Sequence, residues 1–494
     1  VVFGGFAAHN LAIRMSDAEA KVVITVDAGL RGGKVINYKN LVNQGVEEAS
    51  VKPEHVLVVN RGIMPYEPTA IDVDYATERR ISCDARAVVE PEWLESNTPS
   101  YLLYTSGTTG TPKGVQRDTG GYAVALTTSM DYIYDAKPGE TFWAISDIGW
   151  AVGHSYTIYA PLLSGLTSIM YEGLPHSPNP GIWWRIVEAN KVNILFTAPT
   201  GVRMLKKQDE TWLTRYDTSS VKSFFLAGEP LDEPTGKWLS GHLGVPIIDH
   251  YWQTETGWPI LSHAPKFNYK DHKPGTPGYP MFGYDAKVLN EETGEPCQPG
   301  EKGLLAISAP LPPGCLTTVW KNDERFIKSY YSLFDGQQYS SSDYAVTDEE
   351  GYFYILGRTD DVINVAGHRI GTQEIEAAIS EHPEVAEVGV VGIKDELKGE
   401  LPIAFCILRD PSIIEDTENR FRVEQQILGV VAKSLGALAR PAAVYFPKAL
   451  PKTRSGKILR RAIRALAEGQ QPGDMSTLDD PTAIDAVKLA LDSY

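Results

Sequence analysis

The sequence predicts an α/β protein: a large, multi-subdomain amino-terminal domain of parallel sheets sandwiched by helices, carrying a small β unit, followed by a smaller, mobile α+β domain. Three observations predict it. β-branched runs alternate with helical patterns over the first 260 residues. Gly and Pro clusters punctuate short alternating runs between 275 and 357. Beyond about 360 the pattern changes to strand, acidic helix, buried strand and basic helix. At 494 residues the chain also exceeds what one hydrophobic core usually serves.

In chain order, Lys21–Val26 and Val56–Val59 read as strands of a parallel sheet covered on both faces, and the alternation continues through aromatic-rich loops to about 260. Tyr284–Leu289 and Gly303–Ser308 read as hairpin strands. Then come a short strand at Val362–Val365, an amphipathic helix around Gln373–Ile379, a buried strand at Glu387–Gly392, a helix over Glu424–Leu435 and a basic helix near Ile458–Leu466. The expected division is 1–359 and 360–494, with Gly469–Pro481 wrapping the surface before a last short helix.

Composition excludes several classes. Hydrophobic residues make up 43% and charged residues 22%, without an apolar run long enough to cross a bilayer, so no membrane partner is expected. A net charge of -17 disfavours nucleic acid, whose affinity comes from phosphate neutralisation by Lys and Arg. Cys83, Cys297, Cys315 and Cys406 are irregularly spaced, which fits reduced thiols in a cytoplasm or mitochondrial matrix. The chain opens at Val1, without Met and without a signal-peptide pattern, so the true amino terminus is expected to lie upstream.

The most informative local feature is Tyr104–Gly114, where Thr105, Ser106, Gly107, Thr108, Thr109 and Gly110 precede Lys113 directly after an apolar strand. Backbone N–H groups, hydroxyls and one ammonium make an anion cradle suited to polyphosphate. It lacks the Gly-Lys-Ser/Thr ending of a Walker A loop, and its composition also suits an ordinary surface loop. Other charged residues are equally open on spacing alone. Asp343 could cap a turn, Arg358 and Arg369 could form surface ion pairs, Glu255 could start a helix, and Lys457 could belong to a solvated basic face.

The Tyr104–Gly114 loop resembles the phosphate loop of the adenylate-forming superfamily, which includes acyl-CoA synthetases, luciferases and peptide-synthetase adenylation domains. Further matches follow in that family's order. Gly228-Glu229-Pro230 and Asp249-His250-Tyr251-Trp252-Gln253-Thr254-Glu255 resemble its adenine and magnesium segments. Asp343 and Arg358 resemble its ribose pair, and Gly367-His368-Arg369 and Pro451–Lys457 its carboxy-terminal signatures. The resemblance implies ATP as substrate and Mg²⁺ held by Glu255 with Thr108 or Thr109. It also implies Arg369 on phosphate, and Lys457 bridging acid and α-phosphate as charge builds in the transition state. A hinge at Asp360 would turn one carboxy-terminal domain between two half-reactions.

Asp147–Ser155, Ala198-Pro199-Thr200 and Arg31–Lys34 narrow the resemblance to the acetyl- and propionyl-CoA synthetase branch. It implies coenzyme A as acceptor, its phosphates on Arg31 and Lys34 and its pantetheine arm passing Ala198, Ala366, Gly367 and His368. The acid pocket would be set by Ala151, Val152, Ala227 and Trp252. The indole excludes long chains and the alanines leave more room than the valines typical of acetate enzymes, so propionate is expected over acetate. Gly114–Asp118, Glu229–Pro234 and Gly469–Met475 also resemble the propionate-activating members. Lys457, a lone amine on a loop, is an expected target for a protein lysine acyltransferase or deacylase.

The sequence departs from the family in two places. Its phosphate loop lies near residue 104, where these synthetases carry a further segment before it, and the arginine expected a turn after Val431 is replaced by Ala432-Lys433. The alternatives are an acetate enzyme, an adenylate-forming ligase with a carrier-protein or other acceptor, and a catalytically dead metabolite-binding scaffold. Arg31–Lys34 speaks against the second of these, and intact Lys457 and Glu255 against the third.

Overall fold

The computed structural model describes residues 1–494 except 3, 5, 7, 32, 106–111, 230, 232, 268–271, 366, 367, 397, 454, 455, 474, 476, 477 and 494; at 31, 233, 360, 362, 364, 368 and 369 it describes the backbone alone. Two compact units emerge, one of residues 1–286 with 307–339 and one of residues 287–306 with 340–494.

The first unit is organised by a five-stranded parallel sheet in the order Ile247–Asp249, Ser223–Leu226, Ile194–Thr197, Thr141–Ala144, Thr167–Ser168. Its strands read as near-continuous apolar runs because both faces are covered, as parallel sheets require. Trp143, Leu195, Phe224 and Leu226 pack with Trp183, Trp184 and Val187 of the helix Ile182–Asn190. A three-stranded parallel sheet, Val22–Val26, His55–Val59 and Asp72–Asp74, precedes it. Here the expected two-sided cover is not found on the first strand. Val22 and Ile24 are exposed while Val23 packs inward, so this strand alternates as a half-buried one does.

The phosphate-loop sequence lies in an antiparallel hairpin, with Pro99–Thr105 paired to Lys113–Asp118 and Thr105 opposite Lys113. The short strand Thr318–Val319 adds to its far edge and leads into the helix Asp323–Tyr330, capped by Asn322, whose side chain accepts the Arg325 N–H.

Ala286–Leu289, Gly303–Ser308, Gln338–Thr347 and Phe353–Arg358 form the expected small sheet, most of whose residues belong to the second unit. A five-stranded sheet follows, built on the long pair Val385–Asp395 and Gly399–Leu408. Helices Thr372–Ser380 and Thr417–Leu435 cover one face through Ile375, Ile379, Val423, Ile427 and Val431. The second of these starts seven residues before its expected position. Its apolar stripe begins late, but the Asp416 side chain accepts the Glu418 N–H and so fixes the start earlier. Helices Arg460–Ala467 and Thr482–Asp492 cover the other face through Ile463 and Val487.

This grouping differs from a division at Asp360. Residues 287–306 and 340–359 group with the carboxy-terminal unit, within which Lys302 pairs with Glu374 at 3.7 Å and Gly357 lies against Gln373. Within the same unit, Arg460 makes a forked pair with half-buried Glu376, its Nη2 lying 2.6 Å from Oε2 and its Nε 3.0 Å from Oε1. Asp361 lies 3.7 Å from the same guanidinium.

Candidate active site

Several expected site residues of the first unit share one placement: they follow the carboxyl ends of adjacent parallel strands. Ala198 follows Ile194–Thr197, Ala227, Gly228 and Glu229 follow Ser223–Leu226, and His250 to Glu255 follow Ile247–Asp249. Ala151 and Val152 lie beyond Thr141–Ala144, before a π-helical stretch, Gly153–Tyr159. Open parallel sheets bind ligands at this edge, where strand ends leave backbone groups facing a crevice.

Gly228, with φ of 94°, takes the left-handed conformation that turns the chain away from the sheet. The turn presents Glu229, whose carboxylate accepts Thr200 Oγ1 and Arg203 Nη1, the latter at 2.7 Å. Asp249 accepts the Leu231 N–H at 3.3 Å. Burial pushes its carboxyl up to about 7, Glu229 adds to the rise, and the Leu231 N–H and Arg203 oppose it. His250 is buried and held well below the ordinary imidazole range, at about 4, by desolvation. Its ring is therefore neutral: Nδ1–H donates to the Leu226 carbonyl at 2.7 Å and Nε2 accepts the Tyr134 hydroxyl at 2.9 Å.

The raised Asp249 value carries a pH consequence. Its folded value lies above its unfolded one, so the stabilising difference is present at acid pH and is lost as pH rises through about 7. Asp249→Asn cannot ionise. It is expected to exceed the parent in stability at pH 8.5 by about 1–3 kcal/mol and to converge on it at acid pH. Urea melts at pH 5.5, 7 and 8.5 check this, and parallel curves for the two proteins would refute it.

Trp252 packs edge-on against Tyr156 at 5.6 Å and lies 6.3 Å from Phe196; its indole N–H is buried without a hydrogen-bond partner among the described residues. Ala151 and Ala227 are buried. Thr254 and Glu255 are held from behind. Arg117, fully buried on Lys113–Asp118, donates to the carbonyls of Thr254, Glu255 at 3.2 Å and Gly314 at 2.7 Å, and to the Tyr101 hydroxyl at 2.7 Å. A Cβ on Gly257 would meet Arg117 Cζ at 2.6 Å, and its φ of 75° suits glycine alone. The Glu255 carboxylate accepts the Tyr330 hydroxyl at 2.6 Å.

Thr105 and Lys113 stand at the hairpin ends, and the Lys113 ammonium lies 4.5 Å above the Tyr330 ring. Ser106, Gly107, Thr108, Thr109, Gly110 and Pro230 lie outside the described residues. Lys34 is exposed and pairs with Arg31 in the two-stranded ribbon Gly29–Arg31 and Lys34–Ile36; the Arg31 side chain is not described.

In the second unit the cross-strand register sets Asp343, which is buried, directly opposite Arg358, so both project from one face of the small sheet. Arg369 and His368 lie on the strand His368–Gly371, paired to Asn364 and Val365, with their side chains undescribed; Ala366 and Gly367 lie outside the described residues, and Asp360 is described by its backbone alone. Lys457 is exposed beside a turn in which its carbonyl accepts the Thr453 N–H at 2.7 Å and its N–H reaches Thr453 Oγ1 at 3.1 Å.

Sequence reasoning missed Arg117 and Tyr330. Gly114–Asp118 carries a family resemblance without local sign of a site, and nothing local distinguishes Tyr330 from its neighbour Tyr331.

Residues 1–313 match the AMP-binding enzyme family and residues 374–457 match the AMP-binding enzyme C-terminal domain. The chain is 52% identical over 493 residues to a propionate–CoA ligase of Salmonella typhimurium, and equally to one of Escherichia coli, covering 100% of this chain and 78% of each relative. It is 42% identical to an acetyl-coenzyme A synthetase of Pyrobaculum arsenaticum, over 99% of this chain and 72% of that one. An acetoacetyl-CoA synthetase structure from Streptomyces lividans superposes with a TM-score of 0.83 at 23% identity, over 99% of this chain and 73% of that one, and so shares the fold. The chain belongs to the AMP-binding enzyme family, in its acyl-CoA synthetase branch.

Proposed function

We propose that this protein is an AMP-forming propionate–CoA ligase, which joins propionate to ATP as an acyl-adenylate with release of diphosphate and then passes the acyl group to coenzyme A. The observation that carries the reading is the row of strand ends bearing Ala198, Ala227–Glu229 and His250–Glu255 at one sheet edge, in a chain 52% identical to propionate–CoA ligases.

The chemistry follows from charge. A carboxylate attacks a highly anionic nucleotide only if phosphate charge is neutralised and the two are held in line. In this reading Thr105, Lys113 and the intervening loop take the β- and γ-phosphates, and Asp343 accepts the ribose hydroxyls beside Arg358. Arg369 and Lys457 neutralise the α-phosphate. Glu255 suits Mg²⁺, since a single carboxylate leaves positions for phosphate and water, and no group of three or more His, Cys, Asp or Glu among the described residues could hold an ion alone. The ion would supply Lewis-acid polarisation of the phosphates. Arg31 and Lys34 serve the coenzyme A phosphates, with Ala198, Ala366, Gly367 and His368 along its arm. Rotation about Asp360 separates the two half-reactions. Exposed Lys457 offers a protein acyltransferase an amine whose neutralisation stops the first of them. The four cysteines carry free thiols, which fits a cytoplasmic setting, and among the described residues no helix is long and apolar enough to cross a membrane.

Acyl-CoA and AMP formation from acetate, propionate and butyrate, measured separately with the full-length protein, tests the reading. Turnover is expected to favour propionate. Ala227→Val, which would narrow the proposed acid pocket, is expected to move the propionate-to-acetate ratio of kcat/KM about tenfold toward acetate. An unchanged ratio would remove Ala227 from the acid pocket, and an absence of turnover with every acid would restore the scaffold reading.

A further inference from the structure

We infer that Tyr330 is a positioning residue that fixes the Glu255 carboxylate for its metal ion and couples it to the phosphate-loop lysine, Lys113. The inference rests on the reading of Glu255 as a metal-ion ligand.

Three contacts meet on this one side chain. Its hydroxyl donates to Glu255 Oε1 at 2.6 Å, a short bond of the kind a charged acceptor makes. Its ring lies under the Lys113 ammonium at 4.5 Å, within cation–π range. The ring also stacks on Tyr339 at 5.3 Å and 13°, and the Tyr339 hydroxyl donates to Gln253 Oε1 at 2.9 Å. Tyr330 is itself buried, so the ring has little freedom to turn away.

The geometry is asymmetric in a useful way. Occupying Oε1 with a tyrosine hydroxyl fixes the carboxylate plane and leaves Oε2 to face an ion. A ligand carboxylate hydrogen-bonded on one oxygen is the usual way an outer shell orients an inner one, and losing such a partner commonly costs 10–100-fold in metal affinity. The Glu255 backbone is fixed separately, by Arg117 and by the Leu316 N–H, which donates to its carbonyl at 2.7 Å. The remaining freedom is side-chain rotation, which the Tyr330 hydroxyl removes.

Tyr330 also ends the helix Asp323–Tyr330, whose Arg325 donates to the Pro112 carbonyl at 3.3 Å beside Lys113. The preceding Trp320 N–H donates to the Gly114 carbonyl at 2.8 Å. One short helix thus braces the carboxyl side of the phosphate loop and the Glu255 side chain together. Cations on both sides of a polyphosphate gain most when their spacing is set before the ligand arrives.

The test separates hydroxyl from ring. Tyr330→Phe keeps the stack on Tyr339 and the ring under Lys113 and removes only the bond to Glu255; Tyr330→Leu removes both. Binding of Mn²⁺ to the protein–ATP complex, read from the paramagnetic resonance of free Mn²⁺, reports the site without turnover. Tyr330→Phe is expected to weaken Mn²⁺ about tenfold while leaving metal-free ATP affinity and the thermal midpoint near the parent's. Tyr330→Leu is expected to weaken metal-free ATP binding as well. Glu255→Gln serves as the reference. If it weakens Mn²⁺ and Tyr330→Phe does not, the inference is overturned and the Glu255 reading stands. If Glu255→Gln leaves Mn²⁺ affinity intact, the reading of Glu255 falls and the inference falls with it.

Discussion

Lys457→Ala is expected to lower acid-dependent diphosphate release by about 10²–10³-fold, the usual effect of removing one preorganised group from developing transition-state charge. Thioester formation from propionyl-adenylate supplied directly is expected to continue. The two steps part because only the first builds negative charge between a carboxylate and an α-phosphate. The protein should tolerate the change. The Lys457 side chain is exposed, and the turn that carries it is held by backbone groups and Thr453 Oγ1, none of which the substitution removes. Stability should therefore stay within about 0.5 kcal/mol of the parent. ATP–diphosphate exchange with propionate, followed by a separate assay starting from the adenylate, reads the two steps. Equal loss in both would show that Lys457 supports the site generally, and full retention in the first would remove it from the chemistry.

How much of this was legible in the sequence differs by element. The strands at Val56–Val59, Gly303–Ser308 and Glu387–Gly392 announced themselves because buried strands need unbroken apolar runs, and each forms where expected. Chain-order motifs placed Glu229, Asp249 and Glu255, and the structure adds that strand ends bring their segments to one edge. What was not legible depends on long-range contact. Residues 287–306 group with the second unit, within which the Lys302–Glu374 pair joins positions some seventy apart. The pH behaviour of Asp249 follows from burial that no local pattern encodes. Tyr330 and Glu255 are 75 residues apart, and neither sequence neighbourhood hints at the other.

Arg117 shows the same limit with the largest expected effect on stability. A lone Arg in Gly114–Asp118 reads as a surface residue, since Arg is almost never fully buried unless paired. Here the guanidinium is fully buried among Tyr101, Tyr122 and Gly257 and is satisfied by three carbonyls and a hydroxyl instead of by a surface ion pair. Its planar fork suits this, because five fixed N–H directions can serve several acceptors at once, where a Lys ammonium on a flexible stem cannot. Arg117→Met keeps much of the volume and orphans those acceptors. At about 1–3 kcal/mol for each buried group left unmet, and with some recovered by relaxation, the net loss should be about 3–5 kcal/mol. Urea unfolding of parent, Arg117→Met and Arg117→Lys checks this, with Lys expected to recover only part of the loss. The loosened carbonyls belong to Thr254 and Glu255, so ATP affinity should fall in the same order, Met below Lys below parent. A Met variant within 1 kcal/mol of the parent, with ATP affinity unchanged, would mean that water replaces the guanidinium and that the turn at Gly257 holds the segment unaided.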